Sequence, residues 1–157
     1  MRVGITGHRG LSEEVEKHVR ELLSQAVKEY DPGKLVGVSC IADGPDAWFA
    51  EAVLDHGGRI EVVVPATEYR DSLPHWHHPA YDRLLGQAAD VHETGMTASD
   101  SHAHMAGSEI LVGLADELLA VWDGRPARGY GGTADVVAYA ERTGVPVRVL
   151  WPEKASR

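Results

Sequence analysis

Apolar runs and amphipathic stretches alternate along the chain. Val3–Thr6 is a short apolar run stopped by Gly7, which predicts a strand. Leu11, Val15, Val19, Leu22, Leu23, Ala26, Val27 and Tyr30 follow at helical spacing. Ser12 is placed to cap that helix, and Asp31-Pro32-Gly33 to stop it. Leu35–Cys40 predicts a second strand, and Asp43-Gly44-Pro45-Asp46 opens a helix that runs to His56, with Pro45 in its first turn. Arg59–Val64, rich in β-branched residues, predicts a third strand that ends at Pro65. Residues 66–80 show no clear period and are expected to be irregular. Tyr81–Ala89 predicts a helix, Asp90–His92 a short strand and Ser99–Leu114 another helix. Glu117–Trp122 and Val147–Trp151 are the last two strands, with a helix over Ala134–Thr143 between them.

Several of these strands are apolar nearly throughout, as in Val62-Val63-Val64 and Leu118-Leu119-Ala120-Val121-Trp122. Such strands are covered on both faces. Their alternation with helices implies an α/β fold with a mostly parallel, doubly wound sheet. With 157 residues and no linker or internal repeat, residues 1–157 are expected to form a single domain. Ligands of such folds sit beyond the carboxyl ends of the strands. The unusual residues of this chain collect in the corresponding loops.

The composition narrows the ligand. A formal charge of −9 argues against a general nucleic-acid surface, because a polyanion needs a basic footprint. A local nucleotide site remains compatible with it. Cys40 is the only cysteine, which leaves no disulfide framework and no cysteine-based zinc site. No run reaches membrane-spanning length and no leader segment is evident, so a cytoplasmic protein without membrane contact is expected.

Three loops carry candidate chemistry. Asp123-Gly124-Arg125-Pro126-Ala127-Arg128-Gly129-Tyr130-Gly131-Gly132-Thr133-Ala134-Asp135 joins a strand end to a helix start. Glycines there let backbone N–H groups approach a phosphate, and the helix N-terminus adds its partial positive charge. Arg125 and Arg128 could grip the rest of the anion, and Thr133 is placed either to cap the helix or to reach phosphate. Asp135 is either a helix-dipole partner or a carboxylate near a sugar. In Thr6-Gly7-His8-Arg9-Gly10, Gly7 gives room for a turn and a ligand, Arg9 suits a phosphate, and His8 a ribose or base. In Ser39-Cys40-Ile41-Ala42-Asp43-Gly44-Pro45-Asp46, Gly44 allows close approach at a helix start. Asp43 or Asp46 is suited either to ribose hydroxyls or to simple capping of that helix.

The nine histidines include His75-Trp76-His77-His78 and His102-Ala103-His104, but their spacing fits no zinc motif, and no metal is expected. His102, His104 and Glu109 share one predicted helix whose rotation the sequence leaves open. Trp48 and Trp76 suit base stacking, although packing is the commoner role.

Taken together, Val3-Gly4-Ile5-Thr6-Gly7-His8-Arg9, the loop from Ser39 to Asp46 and the loop from Asp123 to Asp135 resemble the SMF/DprA–LOG (SLOG) superfamily. The resemblance covers residues 2 to about 151. It implies a Rossmann-like three-layer sandwich and a nucleotide-type ligand. In the DNA-processing branch the second loop reads serine-glycine-x-alanine-x-glycine-x-aspartate; here Cys40 stands at the glycine, and His8 replaces a serine of the first loop. In the LOG (lonely guy) phosphoribohydrolase branch, a proline-glycine-glycine-x-glycine-threonine loop precedes a catalytic glutamate. Here Gly129-Tyr130-Gly131-Gly132-Thr133 is followed by Asp135, one methylene shorter. A deoxyribosyltransferase-like relative also relies on a glutamate, for which Glu109 is the obvious substitute.

The resemblance implies a sensor or binding module for a nucleotide or another phosphorylated small molecule; no cofactor is expected, and the acidic charge argues against a nucleic-acid polymer as partner. Gly7, His8, Arg9, Asp43, Gly44, Asp46, Arg125, Gly131, Gly132 and Thr133 are its expected ligand contacts. The alternative is an N-glycosidic hydrolase in which Asp135, Asp46 or Glu109 works on the ribose. A homo-oligomer is implied as well, since LOG-type domains often build their sites at dimer interfaces.

Overall fold

The computed structural model describes residues 1–127 and 129–153. Arg128, one of the two loop arginines singled out above, lies outside the described residues. Six strands form one all-parallel sheet in the order β4-β3-β2-β1-β5-β6. They are β1 (Arg2–Gly7), β2 (Val36–Ser39), β3 (Arg59–Val64), β4 (Asp90–Glu93), β5 (Glu117–Val121) and β6 (Val147–Val149). The helices are α1 (Glu13–Lys28), α2 (Pro45–Asp55), α3 (Tyr69–Ser72), α4 (His78–Gly86), α5 (Ser101–Leu114) and α6 (Thr133–Arg142). α1, α2 and α4 pack together on one face, α5 and α6 on the other. The fold is the expected three-layer α/β sandwich. No helix among the described residues is long and apolar enough to cross a membrane.

The core follows from the apolar pattern. The centre of the sheet buries Val3, Ile5, Val38, Ile60, Val62, Leu118 and Leu119 completely or nearly so. α1 turns Val15, Val19, Leu23, Ala26 and Val27 inward, as their spacing requires. Ser12 caps it: its Oγ accepts the Val15 N–H at 3.3 Å, and Glu13, Glu14 and Glu16 complement the dipole.

Four local expectations change. Residues 66–80 are ordered as α3 and a 3₁₀ turn at His75–His77 that runs directly into α4. α4 begins at His78, three residues before the apolar period becomes visible, because Pro79 is tolerated in a first turn. α5 begins at Ser101, since the Asp100 carboxylate accepts the Ala103 N–H at 2.8 Å and takes the cap. Thr133 is not the cap of α6: Gly132 holds that position, and Thr133 is the first helical residue, buried.

The topology has one reversal. From β1 the chain winds outward through β2, β3 and β4, then crosses back to place β5 on the other side of β1. The loops after β1 and β5 therefore diverge to opposite faces and leave a crevice at the carboxyl end of the sheet.

Candidate functional site

The crevice is a cleft of about 570 Å³. It is lined from β1 by Thr6, Gly7, His8 and Arg9, from the loop after β2 by Cys40, Ala42 and Asp46, and from β3 by Pro65. The loop after β5 contributes Ala127, Gly129, Tyr130, Gly131, Gly132 and Thr133. The three loops singled out in the sequence thus converge on one space.

His8 and Arg9 are each tied to a carboxylate. His8 is buried, with Nε2 3.2 Å from the Asp123 Oδ1 and its ring edge-on to Trp151. It joins the loop after β1 to the loop after β5. Arg9 lies half exposed at the cleft wall, with Nη2 2.6 Å and Nε 2.9 Å from Asp43 Oδ1. Asp43 itself is buried and does not line the cleft; it aims the guanidinium. Gly44 also stands behind the lining. It precedes Pro45 with φ 97° and ψ −144°, a conformation open to glycine alone, and this sharp turn lets α2 start over the strand ends.

The turn before it is strained at a residue with no such freedom. Ile41 has φ 47° and is fully buried. A β-branched residue in the left-handed region is a genuine outlier. Its N–H goes to Ser39 Oγ at 2.9 Å, and its carbonyl accepts from His77 Nε2 at 2.9 Å. Ser39 Oγ in turn donates to the Asp46 carbonyl at 2.9 Å. This network sets Cys40 and Ala42 into the floor and places Asp46 in the first turn of α2.

Asp46 lines the cleft floor, and Asp100 its far wall. Burial pushes the pKa of Asp46 up to about 7, against the lowering effects of the Ala42 N–H, which donates to it, and of the Arg9 guanidinium. Around it, burial also pushes up the Cys40 thiol and the Tyr69 phenol, with Asp46 adding to both.

The glycine loop is partly spoken for by its own carboxylate. Asp135 Oδ2 accepts the Gly131 N–H at 2.8 Å, and Asp135 is not among the lining residues. The Gly132 N–H turns to the Gly129 carbonyl at 3.2 Å. Gly131 has φ 84° and packs so tightly on α5 that an added Cβ would lie 3.0 Å from the Ser101 carbonyl. Arg125, expected at the ligand, is exposed and absent from the lining, since its N–H is drawn to Asp123 Oδ1 at 3.0 Å.

The opposite wall is α5. Ser101, His104, Ser108 and Leu111 line the cleft at helical spacing, and Asp100 and Ser99 precede them. Glu109, one position beyond Ser108, is rotated away and exposed, so it does not join the site. His104 Nε2 lies 2.8 Å from Ser99 Oγ, and burial followed by the Arg9 charge lowers its pKa, which keeps the imidazole neutral near pH 7. Tyr69, Ser99, Asp100, Ser101 and Ser108 were not expected at the site. The 101–104–108–111 spacing was present in the sequence, but only the Asp100 cap fixes which face turns inward. Trp76 is exposed away from the cleft, and Trp48 stacks under Arg20.

No protein-family model matches the sequence, and no curated protein matches it. Solved structures do match the fold. DNA processing protein A from Helicobacter pylori superposes with a TM-score of 0.70 at 17% identity, over 99% of this chain and 67% of that one. DNA processing protein A from Streptococcus pneumoniae gives 0.70 at 19%, over 99% of this chain and 52% of that one. The molybdenum cofactor binding protein from Rippkaea orientalis gives 0.59 at 16%, over 94% and 74%. The chain therefore shares its fold with these proteins. This chain spans about two thirds and about half of the two DNA processing proteins. The ligands named for these proteins, single-stranded DNA and the molybdenum cofactor, differ from one another.

Proposed function

We propose that the cleft binds a nucleotide or a nucleotide-derived phosphate ligand, and that the chain acts as a sensor or binding module. The observation that carries this reading is the meeting of the 129–133 glycine loop and the α6 N-terminus with Arg9 across the β1–β5 crevice. Backbone amides at a helix start and one guanidinium suit a phosphate. The cleft volume is in the range of small-molecule sites. The net charge of −9 favours a small ligand over a nucleic-acid polymer. Binding rather than turnover is supported by Asp135, whose carboxylate is engaged by the Gly131 amide.

The test is a calorimetric and thermal-shift screen with nucleoside mono-, di- and cyclic phosphates, sugar phosphates and molybdopterin compounds. At least one nucleotide raises the melting temperature, and Arg9→Ala and Gly132→Val abolish the shift. No response to any nucleotide overturns the reading.

One observation favours a second reading, N-glycosidic hydrolysis. Asp46 places a carboxyl titrating near neutrality on the cleft floor, where it can serve as a general acid or base. Incubation with nucleoside 5′-monophosphates then releases free base, and Asp46→Asn stops the release. No release from any of them at high protein concentration removes this alternative.

A further inference from the structure

We propose that Glu61, Asp90 and His92 form a site for one divalent transition-metal ion of the zinc class at the outer edge of the sheet, away from the nucleotide cleft. The strand register brings these groups together. Glu61 on β3 is the direct partner of Asp90 on β4, and His92 follows Asp90 by two residues. All three side chains therefore stand on the same face of the sheet.

Their ligating atoms lie within 4.8 Å of one another, the one such convergence of three groups among the described residues. His92 Nε2 is 2.9 Å from Glu61 Oε1 and 3.7 Å from Asp90 Oδ2. Three atoms each about 2.0–2.2 Å from a tetrahedral ion stand roughly 3.3–3.6 Å apart. The two separations straddle that value and the third is no more than 4.8 Å, so side-chain adjustment completes the set.

The surroundings meet the other requirements of a metal site, an oriented ligand and an entry path. Glu61 is buried, and Arg2 holds its Oε2 through Nε at 3.3 Å and Nη2 at 3.1 Å. That leaves Oε1 directed at His92, with the guanidinium in the orienting role that hydrogen-bonding groups play behind metal ligands. β4 is an edge strand and Asp90 is exposed, which gives an ion access and leaves a fourth position to water. One imidazole with two carboxylates suits zinc and its neighbours over calcium or magnesium, which favour all-oxygen shells.

The experiment is calorimetric titration of chelator-treated, full-length protein with zinc chloride, and in parallel with magnesium and calcium chloride. One equivalent of zinc binds, with magnesium and calcium at least tenfold weaker. His92→Ala and Asp90→Asn each weaken zinc at least tenfold, whereas His75→Ala/His78→Ala leaves it unchanged. Asp90 is exposed, so its variant reports on the site without a folding defect. Absence of zinc binding, a preference for calcium or magnesium, or binding that survives in both His92→Ala and Asp90→Asn overturns the proposal.

Discussion

His77 Nε2–H donates to the Ile41 carbonyl at 2.9 Å, a buried bond across 36 residues that holds a β-branched residue in left-handed backbone. The His75–Trp76–His77–His78 segment thereby acquires a role unrelated to metal. Removing the donor leaves a buried carbonyl unpaired beside a strained turn, which costs about 1–3 kcal/mol. His77→Ala is expected to lower the unfolding free energy by that amount, as read from urea denaturation. Because Cys40 precedes Ile41 and is buried, the same variant speeds its alkylation by a thiol reagent under native conditions. Unchanged stability and unchanged Cys40 reactivity would show that the turn holds itself.

Gly7 is required by packing before any ligand arrives. A Cβ there would lie 2.9 Å from both Pro45 Cβ and Val121 Cβ. Gly7→Ala forces α2 away from β1 and is expected to destabilise by about 1–3 kcal/mol, the usual cost of overpacking. Gly129→Ala meets nothing within 4 Å and is expected to fall within about 0.5 kcal/mol of the parent. Equilibrium denaturation of the two variants side by side separates them.

Asp46 makes stability fall as pH rises. Its folded pKa of about 7 stands above the ordinary aspartate value of 3.8, so the folded state holds the proton more tightly than the unfolded chain. The full contribution is present below about pH 3.8 and is lost as pH rises to about 7. At about 1.4 kcal/mol per unit, the loss is at most about 4 kcal/mol. Asp46→Asn carries no such charge. Its stability relative to the parent is expected to be greater at pH 8 than at pH 5, and pH-resolved urea curves measure the difference. An identical pH profile in both proteins contradicts this.

Asp135 stabilises the glycine loop in the free protein. Its acceptance of the Gly131 N–H and its place in the first turn of α6 together contribute about 1 kcal/mol. Asp135→Ala is expected to lose that amount, and Asp135→Asn, which keeps an acceptor, about half or less. Hydrogen exchange at the Gly131 amide rises in the alanine variant and little in the asparagine one.

Much of this was legible in the sequence, for identifiable reasons. Strands such as Val62-Val63-Val64 announce burial on both faces, and hence the parallel sheet, because no polar residue interrupts them. The three loops were legible because glycine beside arginine or aspartate at a strand end has few structural excuses. What failed was rotation and reach. Glu109 and Ser108 are neighbours in the chain, yet one is exposed and the other lines the cleft, and only the Asp100 cap decides between them. Arg125 and Asp43 carried the right chemistry, but a local turn draws the first outward and Arg9 engages the second. The wall contributed by Tyr69 comes from a stretch with little periodicity, where a helical turn of four residues leaves no repeating signal.

Gly131 packs on the Ser101 carbonyl and Met105, and Tyr130 lies against His102, so the glycine loop and the start of α5 are jaws in direct contact. The aperture of the cleft is then set by a missing methyl group. A side chain at 131 would act as a wedge, and any motion of α5 that widens the cleft must carry the glycine loop with it.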